Sequence, residues 1–333
     1  IARVQASDTG YVGTPAPLGA AFSGFAERAW GWQVDPARVR ATTDVSVAIV
    51  ETLRRVIGPG DGVIITPPVY PPFFDLVPEA GGTVVEVPLI DDGAAHRLDL
   101  DGIEAAFQAG ARTLLLCNPH NPLGLVHSRA SLESLAELAD RFGATVVSDE
   151  IHAPLVHSGI PFHPFLSVSD AARERGVCVT SASKGWNLAG TKCAIMVAAS
   201  ERGVALLDSM PYEVGFRTSL LGLHASVAAF ERGGPWLDAA IGAIESSADL
   251  MERLLADHLP GVLFRRPSAS YLGWLDFRPL GWGDDPSIRA LESGRVALNA
   301  GPTFGRQGAG FARINLACSP EVLTEAVHRL AAA

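Results

Sequence analysis

Between about residues 37 and 260, apolar runs of four or five residues alternate with stretches of helical periodicity. The strand candidates are 63–66, 83–87, 113–117, 145–148, 177–180 and 194–198. They are rich in β-branched residues and apolar nearly throughout, the pattern of strands covered on both faces. Residues 131–142 place Leu132, Leu135, Ala136, Leu138 and Ala139 at helical spacing, with Ser131 as the expected N-cap. This alternation predicts an α/β fold with a mostly parallel sheet between helices and ligands at the carboxyl ends of the strands. Residues 235–258 read as one long amphipathic helix. Beyond Pro260, 271–277 and 311–317 look like strands and 321–330 like a closing helix, with Gly and Pro dense between them. The expected division is a large domain over 37–260 and a smaller α+β domain made of 261–333 together with 1–36.

Composition narrows the class. The 333 residues are 48% hydrophobic and 19% charged, which describes a globular chain able to bury a large core. No stretch approaches the roughly 20 uninterrupted apolar residues of a membrane span. A formal net charge of −10 argues against a nucleic-acid partner, since no basic stripe is present to neutralise phosphates. Cys117, Cys178, Cys193 and Cys318 lack metal-like or disulfide-framework spacing. Three of them sit in apolar runs, so buried free thiols in a reducing cytoplasm are expected.

The sequence contains only two lysines, Lys184 and Lys192, among 26 Lys+Arg, and both lie in SASKGWNLAGTKCA. Arginine supplies the ordinary positive charge. A retained lysine is a candidate for work that arginine cannot do, because its amine can be desolvated, lose a proton and attack a carbonyl. Three polar segments fall where strands should end: NPHNPLG (118–124), SDEIHAPL (148–155) and SASK (181–184). Singly, Asp149 also fits a turn residue, Asn121 an Asx-turn, Tyr70 simple packing and Arg313 a surface ion pair. Together, at neighbouring strand ends, they point to one pocket. A pyridine ring that stabilises a carbanion needs a carboxylate at its nitrogen, a hydrogen bond at its phenolic oxygen and an amine for its aldehyde. Asp149, Asn121 and Lys184 can supply these.

Other chemistries fit less well. His152, His157 and His163 invite a metal, but no H-E-x-x-H is present and the region is a Pro-rich loop. Asp149 and Glu150, adjacent on a strand, point to opposite faces and cannot act as a glycosidase pair. GRQGAG (305–310) lies far from any first strand–helix turn, and no G-x-S-x-G is found.

With GWQVDP (31–36), TPPVYPPFF (66–74), NPHNPLG, SDEIHAPL, SASKGWNLAG and ARINLAC (312–318), the chain resembles the fold-type I pyridoxal-phosphate enzymes over essentially its whole length. Within them it is most similar to the cystathionine β-lyases of the MalY and PatB type. The resemblance implies that Lys184 is joined to the cofactor aldehyde, Asp149 holds the ring nitrogen protonated, and Asn121 binds the ring oxygen. It implies Tyr70 against the ring face, and Ser181, Ser183, Lys192 and the backbone amides of Val45 and Ser46 around the phosphate. Arg313 would take the substrate carboxylate in a two-pronged contact, and His152 would support the ring-oxygen side or the aspartate. Tyr11, in DTGYVGTP, would reach across a homodimer to the partner's site. The resemblance also implies a segment before Ile1 that helps line the substrate pocket.

The implied activity is β-elimination from a sulfur amino acid such as cystathionine, giving pyruvate, ammonia and a thiol. An aminotransferase would use the same ring-binding residues, and a non-catalytic regulatory descendant is a third possibility.

Overall fold

The computed structural model describes residues 1–93 and 95–333. In chain order its strands are β1 (Val39–Thr42), β2 (Gly62–Ile65), β3 (Thr83–Glu86), β4 (Ile90–Asp91), β5 (His96–Arg97), β6 (Thr113–Cys117), β7 (Thr145–Asp149), β8 (Gly176–Thr180), β9 (Ala194–Val197), β10 (Leu263–Phe264), β11 (Leu272–Asp276), β12 (Asn299–Ala300) and β13 (Phe311–Asn315). The helices before β8 are α1 (Ala2–Gln5), α2 (Ala16–Trp30), α3 (Val45–Val56), α4 (Phe73–Glu79), α5 (Leu100–Gln108), α6 (Arg129–Arg141) and α7 (Asp170–Arg175). After β9 come α8 (Glu201–Asp208), α9 (Tyr212–Phe216), α10 (Leu220–Arg232), α11 (Gly234–His258), α12 (Pro286–Glu292) and α13 (Pro320–Ala331).

The large sheet runs β1-β9-β8-β7-β6-β2-β3. Its five strands from β8 to β3 are mutually parallel, and β9 is antiparallel to both neighbours. The strands are apolar on both faces because helices cover both. Val63, Ile65, Leu115, Cys117, Val147 and Val179 face a core shared with α3, α4 and α8. Ile64, Leu114, Leu116, Val146 and Cys178 face the opposite core, with α2, α6 and α10. Successive side chains on a strand alternate between faces, so each strand feeds both cores.

A second sheet, β10-β11-β13-β12, is antiparallel throughout. It shares a third core with α13 and the C-terminal half of α11: Met251, Leu254, Leu255, Leu275, Phe277, Ile314, Leu323 and Val327. Leu237 and Ile244, nearer the start of α11, belong to the large-sheet core. One helix therefore enters both units.

Two expectations are corrected. The N-terminal stretch does not join the small unit: α2 packs on α10 and puts Leu18, Phe22 and Phe25 into the large-sheet core, with Phe22 and Phe25 each 5.4 Å from Phe230 between ring centroids. Its aromatic face matches that core. Helix α6 starts earlier than expected, and its cap is Ser128, whose hydroxyl accepts from the Ser131 amide. Ser131 is thus the donor in the cap.

Candidate active site

β6, β7 and β8 lie side by side and parallel, with Cys117 opposite Asp149 and Asp149 opposite Val179. Their carboxyl ends open on one edge of the sheet, so the loops that follow converge there. The result is a cavity of about 580 Å³ lined by Val45, Ser46, Tyr70, Asn121, Asp149, His152, Ser181, Ser183, Lys184, Lys192 and Arg313. Tyr11 is the exception among the residues anticipated from sequence. It lies outside this cavity, 83% exposed, with its ring stacked on Phe216 at 5.2 Å.

Asp149 closes β7 and is buried; its Oδ1 accepts from the Ile151 amide at 3.1 Å. Burial pushes its carboxyl up to about 7, against the pull of the Lys184 charge. Lys184 sits in the turn after β8. Burial lowers its pKa and the Arg313 charge adds to this, while Asp149 opposes both. That turn is held by Ser181, whose hydroxyl donates to the Cys193 carbonyl at 2.7 Å and accepts from the Ser183 amide at 3.0 Å.

Asp44 caps α3 by accepting from the Val47 amide. The amides of Val45 and Ser46, in the first turn, have no partner within the helix and give that end its positive character. Lys192 Nζ lies 3.3 Å from the Asp44 carboxylate at the same end. The Tyr70 hydroxyl is pushed up by burial and then by Asp149. The Asn121 backbone N–H donates to Cys117 Sγ at 3.3 Å, tying the loop back to the strand it leaves.

Arg313 arrives from the small sheet. Its Nη1 donates to Asn121 Oδ1 at 2.8 Å and its Nη2 to Asn299 Oδ1 at 3.0 Å, with the guanidinium carbon 4.9 Å from the Phe304 ring centroid. Burial lowers its pKa. His152 Nδ1 pairs with the Ser270 hydroxyl at 3.0 Å, and its ring meets Tyr271 edge-on. Burial, with Lys184 and Arg313 adding, lowers its pKa to about 3, so the imidazole is neutral.

Cavity residues not singled out from sequence as site residues include Cys117, Tyr271, Asn299 and Asn315. Cys117 was legible as the last residue of an apolar strand that opens into the site. Tyr271 and Asn299 come from the small unit, and no local motif announces their approach.

The aminotransferase class I and II family matches residues 20–330. The chain belongs to this family. A Mycobacterium leprae protein whose name places it provisionally among the cystathionine beta-lyases is 43% identical over 353 residues, 98% of this chain and 85% of that one. The cystathionine beta-lyase PatB of Bacillus subtilis is 36% identical over 320 residues, 94% of this chain and 82% of that one. The crystal structure of cystalysin from Treponema denticola, which contains pyridoxal 5'-phosphate, superposes with a TM-score of 0.90 at 26% identity. The superposition covers 97% of this chain and 83% of cystalysin. Pyridoxal phosphate is the family's cofactor, and the donor set fits it. A buried carboxylate raised to about 7 suits a cationic ring nitrogen. A helix N-terminus with two serines and a lysine suits a phosphate, and a lysine of lowered pKa suits an aldehyde.

Proposed function

We propose that the protein is a pyridoxal-phosphate-dependent carbon–sulfur β-lyase that cleaves a cystathionine-like sulfur amino acid to pyruvate, ammonia and a thiol. The observation that carries this reading is the near full-length similarity to cystathionine β-lyases, combined with Lys184, Asp149, Asn121 and Arg313 lining one cavity. When bound, the cofactor supplies an aldehyde for the substrate amine and a ring that accepts the electron pair left at the α-carbon.

The residues divide the remaining work. Lys184 would hold the cofactor at its aldehyde carbon and, once released by the incoming amine, take the α-proton. Its lowered pKa keeps a larger neutral fraction ready for that role. Asp149 would keep the ring nitrogen protonated, and Asn121 would donate to the ring oxygen. Tyr70 would lie against the ring. Val45, Ser46, Ser181, Ser183 and Lys192 would hold the phosphate, and Arg313 the α-carboxylate. His152, neutral and tied to Ser270, would act as a fixed dipole rather than as an acid.

A second reading, an aminotransferase, is favoured by the family description itself and would use the same ring contacts. The two separate on product analysis with L-cystathionine and no amino acceptor. Stoichiometric pyruvate, ammonia and homocysteine are the expected outcome. Turnover that required an added keto acid would overturn the lyase reading.

We further infer a cytoplasmic homodimer. Among the described residues no helix is long and apolar enough to cross a membrane. Tyr11, Tyr212 and Phe216 form an exposed aromatic patch that suits a second copy, with Tyr11 serving the partner's site. A monomer in analytical ultracentrifugation that kept full activity would refute this.

A further inference from the structure

The geometry around Arg313 points to a positioning residue that no sequence motif reveals. We propose that Asn299 orients the Arg313 guanidinium for the substrate α-carboxylate, so that affinity for amino acids depends on a neutral amide at position 299. The inference rests on reading the cavity as a pyridoxal-phosphate amino-acid site.

Asn299 opens β12 directly opposite Arg313 in the ladder with β13, so the backbone register fixes the two side chains as neighbours. Its Oδ1 accepts from Nη2 at 3.0 Å, while Asn121 Oδ1 accepts from Nη1 at 2.8 Å. The Phe304 ring, itself buried, lies 4.9 Å from the guanidinium carbon. The planar group is thus held at both terminal nitrogens and on one face. A guanidinium has five N–H donors. Two are committed, which leaves one on each terminal nitrogen and the Nε hydrogen, and Arg313 Nε is buried without a hydrogen-bond partner. A carboxylate arriving at this group meets a fork whose orientation is already set, which reduces the ordering cost of binding.

Why an amide rather than a carboxylate stands here follows from charge. Both can accept from Nη2. A carboxylate, however, would neutralise Arg313 and repel the anionic group the arginine is to hold. Asn121 sits on the opposite side of the same guanidinium and is likewise uncharged. The pair of amides orients the cation without consuming its charge. Asn121 comes from the large sheet and Asn299 from the small one, so the orientation of Arg313 also registers how the two units meet.

The test compares Asn299→Asp, Asn299→Ala and Asn299→Ser. Binding of L-alanine and of ethylamine (the same amine without its carboxylate) is followed through the cofactor absorption band. Asn299→Asp, nearly isosteric, should weaken L-alanine by tenfold or more. Asn299→Ala should weaken it severalfold, and Asn299→Ser should recover part of the loss because its hydroxyl can accept a hydrogen bond. Ethylamine affinity should move by less than twofold in all three. With L-cystathionine, KM should rise by a larger factor than kcat falls. Variants that bind L-alanine as the wild type does would overturn the clamp and leave the lyase reading standing. Equal losses for L-alanine and ethylamine would also overturn it, because they would mark a general structural defect. A wild-type protein whose absorption responds to neither amine would overturn both readings.

Discussion

Asp149→Asn should make the cofactor-free protein more stable while disabling the loaded one. Asp149 is 4% exposed, and burial moves its carboxyl from an ordinary 3.8 to about 7. Below pH 4 the folded and unfolded chains both hold the proton and the group is neutral in its effect. Between pH 4 and 7 the unfolded chain ionises while the folded one does not, so stability falls as pH rises. Above 7 the deficit is constant. A tenfold difference in proton affinity is worth about 1.4 kcal/mol. The penalty is therefore about 4 kcal/mol at pH 8 and less than half of that at pH 5. Asparagine keeps the shape and the acceptor for the Ile151 amide but carries no charge to desolvate. Glu150, also buried and raised to about 7, is present in both proteins and cancels in the comparison. At an unfolding entropy of about 2.1 cal/mol/K per residue, 4 kcal/mol in a chain of this length corresponds to about 6 °C in Tm. Calorimetry of cofactor-free wild type and Asp149→Asn at pH 5 and 8 should show a gap of about 2 °C widening to about 6 °C. With cofactor bound, the ordering should reverse and turnover should fall by orders of magnitude, since the ring nitrogen loses its anionic partner. A gap independent of pH, or a less stable Asn variant at pH 8, would refute the argument.

Lys184→Ala should abolish turnover, and borohydride reduction followed by peptide mapping of the wild type should place the pyridoxyl group on Lys184 and on no other residue. Gly124→Ala should destabilise the fold by about 1–3 kcal/mol. Gly124 has φ +59, and an added Cβ would run into Pro267 and the Ala269 carbonyl; denaturant titration against wild type measures the loss.

The parallel strands were legible because burial on both faces leaves a nearly unbroken apolar run, as in Thr113–Cys117, and because polar residues at the next few positions mark where each strand ends. Asp149, Asn121 and Lys184 were found on that logic. Residues 1–36 were grouped with the small unit because the apolar positions of such a segment show that it has a face to bury but not which core receives it; Phe22 and Phe25 would suit either. Two serines three residues apart, Ser128 and Ser131, offer equivalent caps in sequence, and only the backbone decides between them. Asn299 and Tyr271 were invisible because their approach to the cavity depends on how one sheet docks against another, which no short-range pattern encodes.

Helix α11 has a mechanical consequence. Its 25 residues extend about 37 Å. They are anchored in the large-sheet core through Leu237 and Ile244, and in the small-sheet core from Ala248 onward. Any swing of the small sheet, and of Arg313 with it, loads this shaft in flexure. Gly242 lies just before the transfer between cores, and the Ser246 hydroxyl donates back to its carbonyl at 2.8 Å, a contact that favours bending. The arginine proposed to hold the substrate carboxylate is therefore mounted on a stiff spring with one soft point, and its travel is set by how far that point yields.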